Sequence, residues 1–488
     1  MKQAKGWTLP LLGGALLSLM AVSGCGNGSN ASSPFIGFTT NGGTGGNGGS
    51  STTGTTGVAP PYLEVVNLAS VAEFSINGTT GALTPLNFNS SGTNGVGNTF
   101  QLSGSGGPIT TLLGAGNPIT GNANAALLVG TSTGVQILLV DEASGLINQV
   151  VDDTTAQPLT VQTGASPVAL TLGSLQDGTP VMYALLSNST IQAFTIGILN
   201  TTDGVNFSTT ITPLNINGNT NSVNTGITSP IQMQNTFNLT SPPVIYVLNQ
   251  GGGTGSVAAF QISNGTASGT TDGELLPVPM TGSANTITGN GIDVPTSFNL
   301  FESPVLGVVV TSQNNTVSTF NLTTTGTNTG ALTASGNGIG QNVTTPSSIV
   351  TIGNALFITS EQGGTGSVES FGLEATGTSD NPLTLVAGGT GGNNLVSTNV
   401  NQPVSSILFP NGLSNFLFEA NAGGGTGSIG TFSIDASTLA LTAVGTDETA
   451  GITSPAVNPQ NMLILPGGNT FITTRGTAQQ RAPEGVKP

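Results

Sequence analysis

Acid–base chemistry in this 488-residue chain falls first to carboxylates, because it contains no His and its single Cys is at position 25. The usual general base, the imidazole metal ligand and any thiolate cage are therefore absent. Glu64, Glu361 and Glu419 lie in or near the ends of β-rich segments. A pair of them would make a hydrolase only if the fold aimed both at one cavity. Asp141-Glu142 and Asp152-Asp153 are adjacent acidic pairs whose oxygens would suit Ca²⁺ rather than Zn²⁺ or Fe, but neither sits in an EF-hand or nonapeptide spacing. They read as turn acids, and no metal or cofactor is expected. Three Gly-rich loops, 251–256, 363–367 and 423–428, have the composition of a phosphate cradle. No Lys follows them and each joins two β-rich runs rather than a strand to a helix, so they read as hairpin turns. The lone Trp7 falls in the leader, which leaves no tryptophan platform for sugars. Tyr62, Tyr183 and Tyr246 belong to β-rich segments.

The basic residues are Lys2, Lys5, Arg475, Arg481 and Lys487, so none occurs from 6 to 474. The formal charge is −16, and loss of Lys2 and Lys5 with a leader makes it −18. A chain of this kind repels phosphate backbones and has nothing with which to release their counterions, which excludes nucleic acid as a partner. Anionic lipid head groups are poor partners for the same reason.

The elements that would position these residues come from a repeat. Apolar residues at i, i+3 and i+5 recur as Val71-Phe74-Ile76, Val135-Leu138-Val140, Ile191-Phe194-Ile196, Val257-Phe260-Ile262, Val317-Phe320-Leu322, Val368-Phe371-Leu373 and Ile429-Phe432-Ile434. In an extended chain i+3 and i+5 share one face and i the other, so both faces of this strand must be covered. Steps of 51 to 66 residues suit a four-stranded unit. The expected fold is all-β: a seven-bladed β-propeller of four-stranded antiparallel blades over 60–474. The triads form strand C, and the β-rich segments before them form strand B. Strand D follows turns such as Thr80-Gly81-Ala82-Leu83-Thr84 and Thr329-Gly330-Ala331-Leu332-Thr333. Strand A is expected after Pro118, Pro167, Pro230, Pro295, Pro346, Pro403 and Pro459, where a missing N–H breaks no ladder bond. Blade 1 has no strand A before it, so Met462-Leu463-Ile464-Leu465 should complete it and remove the exposed edges. Phe471 to Thr474 competes with Tyr62 to Val66 for the pairing place in that blade.

Residues 1–24 read as an export signal: Lys2 and Lys5, then an apolar run from Leu9 to Val22, too short to span a bilayer. Val22-Ser23-Gly24-Cys25 resembles the bacterial lipobox, which implies a diacylglyceryl group on Cys25 and a cell-envelope location. Gly26 after it favours the outer membrane. Residues 25–59 form a Gly/Ser/Thr/Asn stalk of about 30–35 Å r.m.s. span. Residues 475–488 form a tail.

The Tyr-bearing strand B, the strand C triad and the Thr-Gly-Ala-Leu-Thr turn together resemble the bacterial lactonase-type seven-bladed propellers, and more loosely the YVTN-type repeats. The resemblance, over roughly 60–474, implies the propeller fold and a 6-phosphogluconolactonase-like ancestry. Such an enzyme holds a phosphate and activates water, and this domain has no Arg, Lys or His for either task. No catalytic residue is carried over. The reading is a lipid-anchored, non-catalytic scaffold binding a protein or glycan on one propeller face; the alternative is a lactonase-like hydrolase of a neutral sugar lactone, with Glu361 and Glu419 as candidates. The B–C loops and the linkers 86–117, 197–229, 263–294 and 374–402 are expected on the binding rim, and mostly short turns on the other.

Overall fold

The computed structural model describes residues 60–465 apart from short stretches, the longest being 88–94, 103–107, 116–123, 150–157, 202–206, 337–342, 376–382, 388–394 and 453–461. The leader, the stalk with Cys25, Glu142, Asp152-Asp153, Pro118, Pro459 and Phe471 to Thr474 lie outside the described residues. No helix among the described residues is long and apolar enough to cross a membrane.

The chain forms seven antiparallel sheets arranged as the blades of a propeller. Strand B runs over Tyr62–Asn67, Asn124–Thr131, Pro180–Leu186, Val244–Asn249, Gly307–Ser312, Ala355–Gln362 and Asn415–Asn421 in blades 1 to 7. Strand C follows at Ser70–Ile76, Gly134–Asp141, Thr190–Ile196, Ser256–Asn264, Thr316–Leu322, Thr365–Ala375 and Ser428–Ile434. The inner strand A is Thr111–Ala115, Pro167–Ser174, Pro230–Asn235, Pro295–Phe301, Pro346–Ile352 and Pro403–Pro410 in blades 2 to 7. In blade 1 it is Met462–Leu465, paired antiparallel to Tyr62–Asn67 through Tyr62↔Leu465 and Val65↔Met462. The far end of the propeller thus closes the ring, and Tyr62–Asn67 takes the pairing place. Blade 2 corrects the expectation from Pro118: its inner strand comes before that residue, where Thr111↔Gly130 and Ala115↔Ala126 fix the register.

The seven triads account for the packing. Seven buried apolar clusters lie among the described residues, one between each pair of neighbouring blades. In every blade the first triad member packs toward the following blade and the other two toward the preceding one. Val71 joins blade 2 while Phe74 and Ile76 join blade 7; Ile429 joins blade 1 while Phe432 and Ile434 join blade 6. Each fully buried Phe or Val contributes about 1.5–3 kcal/mol. The strand is stable only as a layer between two others.

The outer strand departs from a simple D strand. In five blades it is in two pieces that bond opposite halves of strand C, as with Leu83–Pro85 on Phe74 to Ile76 and Thr99–Gln101 on Ser70 to Ala72. The linkers therefore do not all collect on one rim. Pieces of 86–117, 263–294 and 374–402 pair with strand C along the perimeter: Thr99–Gln101, Asp272–Pro277 with Thr286–Thr288, and Leu383–Ala387 with Leu395–Val396. The segment from 197 carries a small hairpin, Asn200–Thr201 with Phe207–Ser208, in the C–D connection of blade 3 on the opposite rim.

Blades are keyed to one another at the C–D turns. Gly81, Gly145 and Gly330 have φ of 72°, 75° and 93°. A Cβ on them would fall 2.4 Å from Phe416, 2.3 Å from Tyr62 and 2.5 Å from Val244, each on strand B of the preceding blade. Only glycine supplies both the left-handed backbone and the close approach. Tyr246 Oη donates to Gly330 O at 2.7 Å, and Tyr183 Oη to Gly273 O at 3.1 Å. These tyrosines are inter-blade fastenings.

Candidate functional site

The rim formed by the B–C hairpins and the starts of the inner strands is built from one repeated device. In blades 3 to 7 the residue before the strand A proline accepts an N–H from the rim end of strand B or just beyond it: Ser187 to Ser166 (2.8 Å), Gln250 to Ser229, Gln313 to Val294, Glu361 to Thr345 (all 3.1 Å) and Ala422 to Gln402 (3.0 Å). The proline then starts a strand whose register slips by one residue before settling. Ser229, Val294, Thr345 and Gln402 hold φ of 47–54°. Four non-glycine residues in the left-handed region, at the same place in successive blades, show that the clasp over-determines the local backbone.

The Gly-rich loops fit onto this clasp. A Cβ on Gly255 would lie 2.2 Å from Pro295 Cδ, and one on Gly366 would lie 2.4 Å from Pro403 Cδ, so each loop is pressed against the proline of the next blade. Asn249 Nδ2 donates to Ser256 Oγ at 3.0 Å and Asn421 Nδ2 to Ser428 Oγ at 3.4 Å, which holds two of the loops at their bases. Glycine here serves packing between hairpins. The exposed groups of the rim are Ser132, Thr133, Asn188, Thr228, Thr254, Gln313, Asn314, Thr344 and Gln402 with few acids, among them the exposed Glu361.

Beneath the rim the inner strands touch their neighbours all round the ring. In blades 4 and 5 polar side chains join them. Gln232 donates to Phe298 O (3.0 Å) and accepts from Phe298 N (2.9 Å); Gln234 donates to Phe298 O (3.1 Å) and accepts from Leu300 N (3.2 Å). Asn299 continues the seam to Ile349 O, and Ser406 Oγ reaches Ser348 Oγ at 2.9 Å. A strand edge with no partner strand needs such groups for its N–H and C=O. The sequence carries a signal for them in the polar residues at alternate places after the proline, as in Pro230-Ile231-Gln232-Met233-Gln234.

The candidate acids do not share a cavity. Glu64 is fully buried on the face of blade 1 that packs toward blade 2, between Tyr62 and Val66. Glu419 is fully buried and, by strand alternation with Leu417, faces blade 6. Glu361 is exposed at the rim end of strand B in blade 6. Two buried acids went unnoticed in the sequence, Glu73 and Glu369. Neither oxygen of Glu64, Glu369 or Glu419 has a hydrogen-bond partner. Burial pushes the Glu64 and Glu419 carboxyls well above the ordinary carboxylate range and Glu369 up to about 7. Glu73 is raised by burial, then by the charge of Glu64, while the N–H of Ile147 pulls it down. Among the described residues no three His, Cys, Asp or Glu side chains converge as metal ligands.

The acids of the opposite rim are tied into turns. Asp435 Oδ1 accepts from Ser437 Oγ (2.6 Å), Thr438 N (2.9 Å) and Ser437 N (2.8 Å), and these bonds hold its carboxyl at about 2. Asp272 accepts from Gln176 N at 2.8 Å, and Glu274 from Thr271 N at 2.9 Å and Gly218 N at 3.3 Å.

No family model and no curated protein matches this chain. Among solved structures it is similar to Chaetomium thermophilum Sqt1 bound to the N-terminus of the ribosomal protein L10, at 13% identity over 69% of this chain and 74% of that one, with a TM-score of 0.38. Sqt1 from the same organism without that partner matches at 13% identity over 72% and 73%, with a TM-score of 0.41. A chain of an active polycomb repressive complex 2 in the basal state matches at 10% identity over 67% and 66%, with a TM-score of 0.41. At such distances no residue, activity or partner is carried over, and the seven-bladed propeller stands on the closed ring of blades itself.

Proposed function

We propose that this chain is a non-catalytic binding scaffold of the bacterial cell envelope, held at the outer membrane by a lipid on Cys25, that presents its B–C rim to a protein or glycan. One observation carries the non-catalytic reading: the acids whose pKa burial raises most, Glu64, Glu73, Glu369 and Glu419, are sealed between blades, and Asp447, the half-buried rim acid that burial also raises, accepts from Ser428 Oγ at 3.2 Å, whereas the exposed rim offers amide, hydroxyl and backbone groups. A general acid must reach the proton it moves, and a carboxyl with no exposed surface reaches no substrate. Variable loops on a rigid frame are where recognition is commonly carried. The rim is also poor in charge, so binding should depend weakly on salt. The anchor rests on the leader and the position of the sole Cys.

The alternative is hydrolysis of a neutral sugar lactone. Purified protein should show no saturable turnover of such lactones. Turnover that disappears in Glu361→Gln or Glu419→Gln would overturn the scaffold reading. For the anchor, Cys25→Ala should abolish incorporation of a labelled fatty acid, and retained label would contradict it.

A further inference from the structure

The two ends of the propeller meet in blade 1, and that blade carries two acids at the heart of its sheet. Glu64 of strand B and Glu73 of strand C are direct partners in the antiparallel register, and Glu64 also faces Leu463 of the closing strand. Side chains so paired have Cβ atoms about 4.5–5.5 Å apart. Both residues have no exposed surface. They lie on the face that packs against blade 2, since Tyr62, Val66 and Val71 at alternate positions belong to that layer. Glu73 Oε1 accepts the N–H of Ile147 from blade 2 at 3.2 Å. The other three carboxyl oxygens have no partner.

What faces the pair decides how it is neutralised. From blade 2, strands Thr111–Ala115, Asn124–Thr131, Ile147–Gln149 and Thr160–Gln162 carry no titratable side chain, and Gly134–Asp141 carries only Asp141 at its half-exposed end. Within blade 1, Met462–Leu465, Leu83–Pro85 and Thr99–Gln101 carry none, and Tyr62 is the one other ionisable group on the two strands that hold the pair. No Lys, Arg or His occurs from 6 to 474. A divalent cation would want about six to eight oxygens, and the layer around the pair is Val, Leu, Ile and Phe with Tyr62 alone adding a side-chain oxygen among the cluster's members. The proton is the ion that fits.

We propose that Glu64 and Glu73 form a proton-held latch on the closing blade: protonated they pack within the dry layer, and ionised they repel one another beside Met462–Leu465 and loosen the ring at its seam. Burial raises both groups, and the charge of Glu64 raises Glu73 further. The sign follows from linkage. The folded state keeps protons that the unfolded chain gives up as pH rises past the ordinary value of 4.5, so this contribution falls with rising pH and is lost in full above the folded values. The seam should therefore be tightest in acid, the reverse of ordinary acid denaturation.

The test is hydrogen exchange on the full-length protein, read as protection factors for 62–67 and 462–465 at pH 5 and pH 8. Wild type should lose protection there by at least about tenfold at pH 8, the equivalent of one pKa unit. E64Q/E73Q should hold the pH 5 protection at both pH values, and the single variant E64Q, which leaves Glu73 buried without its charged neighbour, should show a clearly smaller difference than wild type if the double variant fails to fold. E419Q, which removes a buried acid between blades 6 and 7, should leave the pH response at 62–67 and 462–465 as in wild type. A pH response unchanged in E64Q, or one removed equally by E419Q, would overturn the latch.

Discussion

The two rims of this propeller use the same polar residue types for opposite ends. On the C–D rim, carboxylates and amides are consumed by the turns they sit in: Asn77 Oδ1 accepts from Thr79 N and Thr80 N at 3.0 and 3.1 Å, and Asp435 repeats the pattern in blade 7. The same turns are locked to the preceding blade by Gly81, Gly145 and Gly330 under aromatic or branched side chains. On the B–C rim more of the holding is done by backbone, through the carbonyl before the proline in blades 3 to 7 and the close approach of Gly255 and Gly366, with Asn249 and Asn421 fixing the bases of two loops, which leaves side chains such as Thr254 and Gln402 exposed. Where side chains hold the structure they are not free to bind anything else. A rim held by its backbone can vary its side chains without unfolding the blades.

The sharpest way to break this contrast is at the C–D turns. Gly330→Ala should cost about 2–4 kcal/mol, because it adds both a left-handed alanine and an overlap with Val244. Urea unfolding measures it, and a loss below about 0.5 kcal/mol would show that the key is dispensable. Tyr246→Phe is milder. It removes the hydroxyl bonded to Gly330 O and keeps the ring, and the carbonyl loses a buried donor, so a loss of about 1 kcal/mol is expected in the same assay.

The ring was legible in the sequence because a strand packed on both faces has a pattern no other element shares, and the seven triads carry it with the sidedness later seen in Val71 against Phe74 and Ile76. The closing strand was legible too, since Met462–Leu465 had no other blade to complete. Prolines misled once. Pro118 looked like the others, but the strand before it, Thr111–Ala115, follows Pro108. The doubled outer strand left little trace, because pieces as short as Thr99–Gln101 are held by their place on strand C rather than by any pattern of their own. Glu73 and Glu369 were invisible for a related reason: a Glu among apolar neighbours in a strand gives no sign of which layer it enters until the register is known. The clasp was half visible, in its prolines, while the carbonyl before each one has no signature in residue type.

The central claim is that recognition takes place on the B–C rim. Photo-crosslinking in intact cells tests it, with a photoreactive residue placed one at a time in the full-length protein at Thr254 and Gln402 on that rim and at Thr79 and Ala436 on the other, all four exposed. The same specific adduct should form from Thr254 and Gln402 and not from Thr79 or Ala436. Adducts formed only from Thr79 or Ala436 would contradict the account.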